Sequence, residues 1–373
     1  MRSLFIHDPA DLEAVIPGGV QLCTREFLEI VRAASDECQL FTVRVSRSAV
    51  WRLRRRLGLG AYLLYAPEEA REALAKTLAT LKPSHVFLNR AELMRLSPLI
   101  TSLAPGAKVI VMSHGNQSGD DLYEIAGPGG RRSGRLARIT AAWRLGLDLV
   151  SESRFRHRHL HAVCVMSEEE AVLERWLGAV RTVVLPRIIR SDPLEWRPID
   201  GRVGFVGTLD HTPNRVALVQ LCDELAKLAG GSTIKLRLAG GPESVGRSFT
   251  ERYPFVEYIG RPDEGTLRAE AATWTLFLNP IFWLSRGASM KLGQSLAWGV
   301  PALTTRSGAR GYRLRPEHTF STEDSPQAFA AALIALVRSQ PERPSGLRER
   351  LLRSGSEWPD VATLAAELKA ALA

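Results

Sequence analysis

Residues 275–305 hold the densest run of positions that could do chemistry. An apolar stretch, Thr275–Leu278, ends at Asn279-Pro280, and a loop with Ser285, Gly287 and Ser289 follows. An amphipathic pattern over Ser289–Trp298 then predicts a helix, stopped by Gly299 ahead of Val300-Pro301. Small residues just before a helix let an anion approach the free N–H groups at the positive end of its dipole. Lys291, in the first predicted turn, adds a point charge suited to a phosphate. A second position is His114. The apolar stretch Lys108–Met112 runs into Ser113-His114-Gly115, which sets an imidazole at the carboxyl end of a predicted strand, available for polar contact or proton handling.

The elements that must position these residues alternate in type. Short apolar runs predict strands at Leu4–His7, Gln39–Val45, Ser84–Leu88, Lys108–Met112, Ala162–Met166 and Thr182–Leu185, with helical patterns between them such as Cys23–Ala34 and Glu68–Leu81. Several of these runs are apolar without alternation, as in parallel strands covered by helices on both faces. The pattern restarts after Arg190, with strands predicted at Val203–Val206, Ile234–Leu238, Phe255–Ile259, Thr275–Leu278, Ala302–Thr304 and His318–Ser321. The expected architecture is an α/β chain of two Rossmann-like domains, residues 1–190 and 201–356. Residues 191–200, with Pro193 and Pro198, read as a linker, and residues 357–373 as a helix that could cross back to the first domain.

The spacing over 287–301 resembles the donor motif of GT-B glycosyltransferases of the retaining, sucrose-synthase-like type (glycosyl transferases group 1), roughly G-x-x-x-K-x-x-E-A-x-A-x-G-x-P-V. Gly287, Lys291, Gln294, Ala297, Gly299 and Pro301 fall in register, while Gln294 stands where the family has Glu and Ser295 where it has Ala. The resemblance runs more weakly from about residue 17 to 358. It implies the GT-B fold, two Rossmann-like domains facing each other across a cleft. It also implies transfer of a sugar from a nucleoside-diphosphate sugar to a hydroxyl acceptor, without metal or cofactor.

In that frame Lys291, Ser289 and Gly287 would hold the diphosphate, together with Gly207 and Thr208 of the segment VGFVGTL, and Arg261 would lie near the base. Gly18 and Gly19, after Pro17, resemble the glycine loop under the donor phosphates, though a tight turn explains them equally. His114 would approach the transferred sugar or the acceptor. The family's Glu accepts hydrogen bonds from ribose hydroxyls; Gln294 keeps one acceptor and loses the charge. That change keeps two alternatives open: a non-catalytic GT-B-fold protein that binds a glycan or a partner, and a nucleotide-sugar epimerase.

Composition narrows the partners. The net charge is +9 over 373 residues, and residues 1–190 hold most of the basic excess. Such a bias favours anionic partners. Trp51, Arg52, Arg54, Arg55 and Arg56, mixed with Val50, Leu53 and Leu57, read as an interfacial helix for an anionic inner membrane surface or an anionic acceptor. Arg131, Arg132, Arg135, Arg138 and Arg144 with Trp143 form a second cluster. A glycan or a lipid-linked glycan is the expected acceptor; nucleic acid is not expected, because no recognised binding module accompanies the charge. No apolar run reaches the ~18 residues that cross a bilayer, and the short apolar start is no signal peptide, so a cytoplasmic protein is expected. The four cysteines are too irregularly spaced for a disulfide framework or a zinc ribbon and read as small buried hydrophobes. His157, His159 and His161 alternate like metal ligands, but interleaved arginines oppose a cation there.

Overall fold

A computed structural model describes residues 1–13, 18–58, 62–127, 135–283, 287–338, 342–354 and 358–373. Pro17, Arg131, Arg132, Ser285, Arg286 and Ser356 lie outside these, as does the side chain of Arg135. The chain divides into two compact units: residues 1–187 with 359–373, and residues 188–358.

The first unit is built on six strands, β1 (Arg2–His7), β2 (Glu37–Thr42), β3 (His85–Asn89), β4 (Lys108–Met112), β5 (Ala162–Val165) and β6 (Thr182–Val184). They pair in parallel in the order β2-β1-β3-β4-β5-β6. The inner strands β3 and β5 are buried at every position, because helices cover both faces. The core under one face joins Leu4, Ile6, Leu74, Leu78, Val86 and Val111. The helix Val361–Leu372, capped by Asp360 accepting from the Thr363 N–H at 2.7 Å, packs along the helix Gly19–Ala34.

The second unit repeats the plan with β7 (Ile199–Val206), β8 (Lys235–Ala239), β9 (Val256–Gly260), β10 (Trp274–Asn279), β11 (Ala302–Thr305) and β12 (Phe320–Thr322). These too are parallel, in the order β12-β11-β10-β7-β8-β9. Val203, Phe205, Leu221, Leu238, Leu278 and Phe329 are at the centre of its core.

Both sheets contain a point where consecutive strands depart in opposite directions: between β1 and β3 in the first, and between β7 and β10 in the second. The loops after those strands diverge and leave a crevice at the carboxyl edge, where open α/β sheets bind ligands.

The segment expected as a linker behaves differently from a free connection. The Asp192 and Leu194 N–H groups donate to the carbonyls of Ala297 and Trp298, at 2.8 and 3.0 Å. Leu194 is buried with Trp274 and Trp298, and Trp196 donates its indole N–H to the Trp274 carbonyl. Prolines set the extended backbone, but the apolar side chains between them bind it to the second unit. Ile199 and Asp200 already belong to β7.

Candidate functional site

In the second unit the helix Met290–Ala297 follows β10 through the loop that contains Gly287, with Ser289 as its N-cap residue and Gly299 left-handed just beyond its end (φ 63°). Ser289 does not cap the helix. Its hydroxyl bonds Asn279 Oδ1 at 2.7 Å, and Asn279, fully buried at the end of β10, donates to Thr304 Oγ1 and the Gly308 carbonyl. The helix start is therefore held in place while its first-turn N–H groups have no side-chain cap. Tyr312 reaches the Ser289 carbonyl at 2.7 Å, and its hydroxyl lies so close over Gly293 that a Cβ there would meet it at 2.5 Å.

Lys291 turns from that first turn toward the other side of the crevice. Its ammonium donates to Asn214 Oδ1 at 2.9 Å and lies 5.4 Å from the centre of the Phe205 ring. Asn214 in turn donates to the Thr208 carbonyl at 2.9 Å. Burial without a compensating anion lowers the Lys291 pKa to about 8. Among the described residues, no carboxylate forms an ion pair with it.

The neighbouring loops are tied to the same edge. Leu209 N–H donates to the Gly241 carbonyl at 2.7 Å, and Gly240 N–H to the Gly260 carbonyl at 2.7 Å. Gly240 must be glycine: its φ is +134°, and a Cβ would strike the Gly207 carbonyl oxygen at 1.8 Å. The Gly240-Gly241 pair thus serves loop packing. Arg261, exposed at the end of β9, lies across Gly241. The structure accordingly brings Gly207, Thr208, Arg261, Ser289 and Lys291 onto one sheet edge. Gln294 is half-buried one turn after Lys291, and its side chain has no hydrogen-bond partner among the described residues.

The carboxyl edge of the first unit is organised by buried side chains. His114 follows β4 and sits 3.2 Å, ring nitrogen to oxygen, from Asn89 Oδ1, with Phe27 edge-on to its ring at 5.4 Å. Asn89 donates to Asp11 Oδ2 and Thr24 Oγ1, both at 3.0 Å. Arg90 pairs with Asp11 at 3.4 Å and donates to the Tyr65 hydroxyl at 2.7 Å; that hydroxyl bonds Asp8 Oδ2 at 3.1 Å. Burial pushes the Asp11 carboxyl up against the pull of Arg90. Arg90 carries this role on a backbone φ of +79°, a left-handed value that L side chains rarely adopt.

Behind this edge, Arg156 is fully buried, paired with Glu174, and donates to Asn116 Oδ1, two residues after His114. About two turns earlier on the same helix, Asp148 is raised to about 7 by burial and by its hydrogen bond with Asp121. Sequence reasoning did not single out Asp8, Asp11, Tyr65, Asn89 or Arg90. The available signal was positional: Asp8, Asn89 and Arg90 end or follow apolar strands at the switch point.

Gly18 and Gly19 start the helix Gly19–Ala34 in the first unit. The Gly18 N–H is taken by Gln21 Oε1 at 2.9 Å, and the Gln21 amide donates to the Ala10 carbonyl. These glycines therefore form part of a stapled helix start.

The expected interfacial helix is corrected at one residue. In Ala49–Leu57, Trp51 is only 3% exposed. Its indole N–H donates to Glu68 at 2.6 Å, and it packs on Leu63 and Ala66 under the Arg54 and Arg95 guanidinium groups. An indole with an internal acceptor gains more from this pocket than from a surface. Arg55 is half-buried and donates to the Ser46 carbonyl at 2.9 Å. Val50, Leu53 and Leu57 with Arg52, Arg54 and Arg56 remain exposed. Among the described residues no helix is long and apolar enough to cross a membrane. Of the cysteines, Cys23, Cys164 and Cys222 are buried, whereas Cys38 is half-exposed.

The comparisons with known proteins speak to the fold and to the second unit. A search of curated sequences found no match. The model of the family described as Glycosyl transferases group 1 matches residues 200–339. Among solved structures, sucrose-phosphate synthase from Thermosynechococcus elongatus is similar at a TM-score of 0.65 and 15% identity, over 98% of this chain and 96% of that one. The Anabaena protein HepE, in complex with UDP-glucose, gives 0.63 and 13%, over 99% and 98%. The lipopolysaccharide outer core galactosyltransferase WaaB, in its apo form, gives 0.64 and 14%, over 100% and 99%. These identities speak for fold alone. They give the fold as GT-B, two Rossmann-like units, and the family match makes residues 200–339 of the second unit similar to glycosyl transferases group 1.

Proposed function

We propose that the protein transfers a hexose from a nucleoside-diphosphate sugar to a hydroxyl acceptor, a glycan or a lipid-linked glycan, without a metal ion. The observation that carries this reading is Lys291, a half-buried cation with a neutral partner, at the uncapped start of a helix beside the β7/β10 switch point. A diphosphate would satisfy both the ammonium and the first-turn N–H groups. Gly207 and Thr208 would flank it, and Arg261 would lie toward the base. The UDP-glucose bound by HepE makes a uridine nucleotide the first donor to try. In the first unit His114, held by Asn89, is the side chain suited to orient a hydroxyl or move a proton. The exposed Val50, Leu53 and Leu57 beside Arg54 and Arg56 suit peripheral contact with an anionic inner membrane face in the cytoplasm, which flotation with anionic vesicles tests.

The second reading, a non-catalytic glycan or partner binder, is favoured by Gln294, which cannot supply the charge of a carboxylate. One experiment separates the two. A panel of nucleotide-sugars is added at millimolar concentration, and melting temperature and slow donor hydrolysis are both followed. A shift with hydrolysis supports the transferase; a shift alone supports the binder. No shift with any nucleotide overturns the transferase and leaves the glycan or partner binder.

A further inference from the structure

The first unit contains an open pocket of about 920 Å³ at the carboxyl ends of β1 and β2, beside the Asp8–Tyr65–Arg90 network. Arg44, Arg47, Arg52 and Arg55 line it, facing Asp8, Glu13 and Gln21. We propose that this pocket binds an oxyanion, a phosphate or a carboxylate carried by the sugar acceptor. The inference rests on the transferase reading above and names the class of its acceptor.

Three features support an anion here. Arg44, Arg47 and Arg52 are exposed and form no ion pair among the described residues, so their charges are uncompensated. Four guanidinium groups line the pocket against two carboxylates, Asp8 and Glu13, and Asp8 already accepts from the Ala10 N–H at 2.9 Å and from Tyr65. The walls are also fixed before any ligand arrives. Arg55 bonds the Ser46 carbonyl, the Ser46 N–H bonds the Leu64 carbonyl at 2.9 Å, and Ser46 itself is buried. A loop held in this way carries its arginine forks with less ordering cost, and guanidinium forks match the planar oxygens of carboxylate and phosphate. Asp8 belongs both to the pocket wall and to the chain of hydrogen bonds and one ion pair that reaches His114 through Tyr65, Arg90, Asp11 and Asn89. An acceptor anchored by its anion would thus lie at the end of the chain that holds the candidate proton handler.

The test is calorimetric titration of the full chain at low salt with three probes: a galacturonic-acid trisaccharide, its neutral galactose counterpart, and glycerol phosphate. At least one anionic probe should bind and the neutral one should not; the tighter of the two anionic probes identifies carboxylate or phosphate as the source. Arg44→Gln with Arg47→Gln, and Arg52→Gln alone, should each weaken that probe about tenfold or more. Arg71→Gln, an exposed arginine outside the pocket, should change nothing. Equal binding of the neutral probe, or equal losses with Arg71→Gln, overturns the proposal. So does anionic-probe binding that ignores the pocket variants, or binding to phosphatidylglycerol vesicles alone. The outcome is separable from the transferase reading. Anionic-probe binding without any nucleotide binding leaves an anion site and removes the transferase; nucleotide binding without probe binding does the reverse.

Discussion

The carboxyl edges of the two sheets solve the same problem with different materials. In the second unit the edge is mostly backbone: glycine-containing loops cross-linked by main-chain hydrogen bonds, a helix start, and one lysine. In the first unit it is a chain of buried side chains, Asp8, Tyr65, Arg90, Asp11 and Asn89, ending at His114. Backbone N–H groups and one cation can hold a diphosphate whatever sugar it carries. Placing one imidazole against a particular hydroxyl requires side chains locked by their neighbours. On the transferase reading proposed above, the general part of recognition would fall to one sheet and the specific part to the other.

The largest effect should come from removing the support of the first edge. Arg156→Ala strands Glu174 in the interior and releases Asn116, at a cost of about 3–5 kcal/mol in stability, read by chemical denaturation. Nucleotide affinity should not change; a matching loss of affinity would break the division between the two edges.

Lys291→Ala should next weaken a nucleoside diphosphate roughly 10–100-fold by calorimetry, the scale of a lost charged hydrogen bond, with the denaturation midpoint little altered. A milder probe of the same lysine is pH. Its ammonium is the binding form, its pKa is about 8 in the free protein, and a bound phosphate raises it. Affinity should therefore be flat below pH 8 and fall by up to about tenfold per unit as the pH rises above it. Lys291→Arg, charged throughout, should flatten the profile.

The smallest effect concerns Gln294. Gln294→Ala should weaken nucleotide binding a few-fold, roughly the worth of one hydrogen bond, and Gln294→Glu should leave it equal or tighter. Unchanged affinity in both variants would take this residue off the donor site.

The two edges also differed in how far the sequence revealed them. Gly287, Ser289, Lys291 and Gly299 lie on one continuous stretch, so helix punctuation and spacing were enough to find them. Asp11, Tyr65 and Arg90 come from three segments, and no local pattern marks them as partners; the pairing of β1 with β3 brings Asp11 to Arg90, and Tyr65 reaches them from the segment before the helix Pro67–Leu81. Strands behaved in the same way. Lys108–Met112 was legible to the residue because a strand covered on both faces is apolar beyond its first residue. The edge strand β2 was not: Glu37–Thr42 stands where Gln39–Val45 was expected, since an edge tolerates Glu37, while Val43 and Val45 lie in the loop beyond it. Trp51 misled for a related reason. A tryptophan among arginines suits an interface, and its acceptor, Glu68, sits on a helix 17 residues away.

The helix Val361–Leu372 belongs to the first unit, although the whole second unit precedes it in the chain. During synthesis the apolar side of Gly19–Ala34 is thus made early and covered late. Until residues 361–372 emerge, the helix Gly19–Ala34 belongs to a unit that lacks one of its walls. The second unit, by contrast, is one uninterrupted stretch that can close as soon as residue 358 is available. The order of maturation would then be the reverse of the order of translation, with the second unit complete before the first.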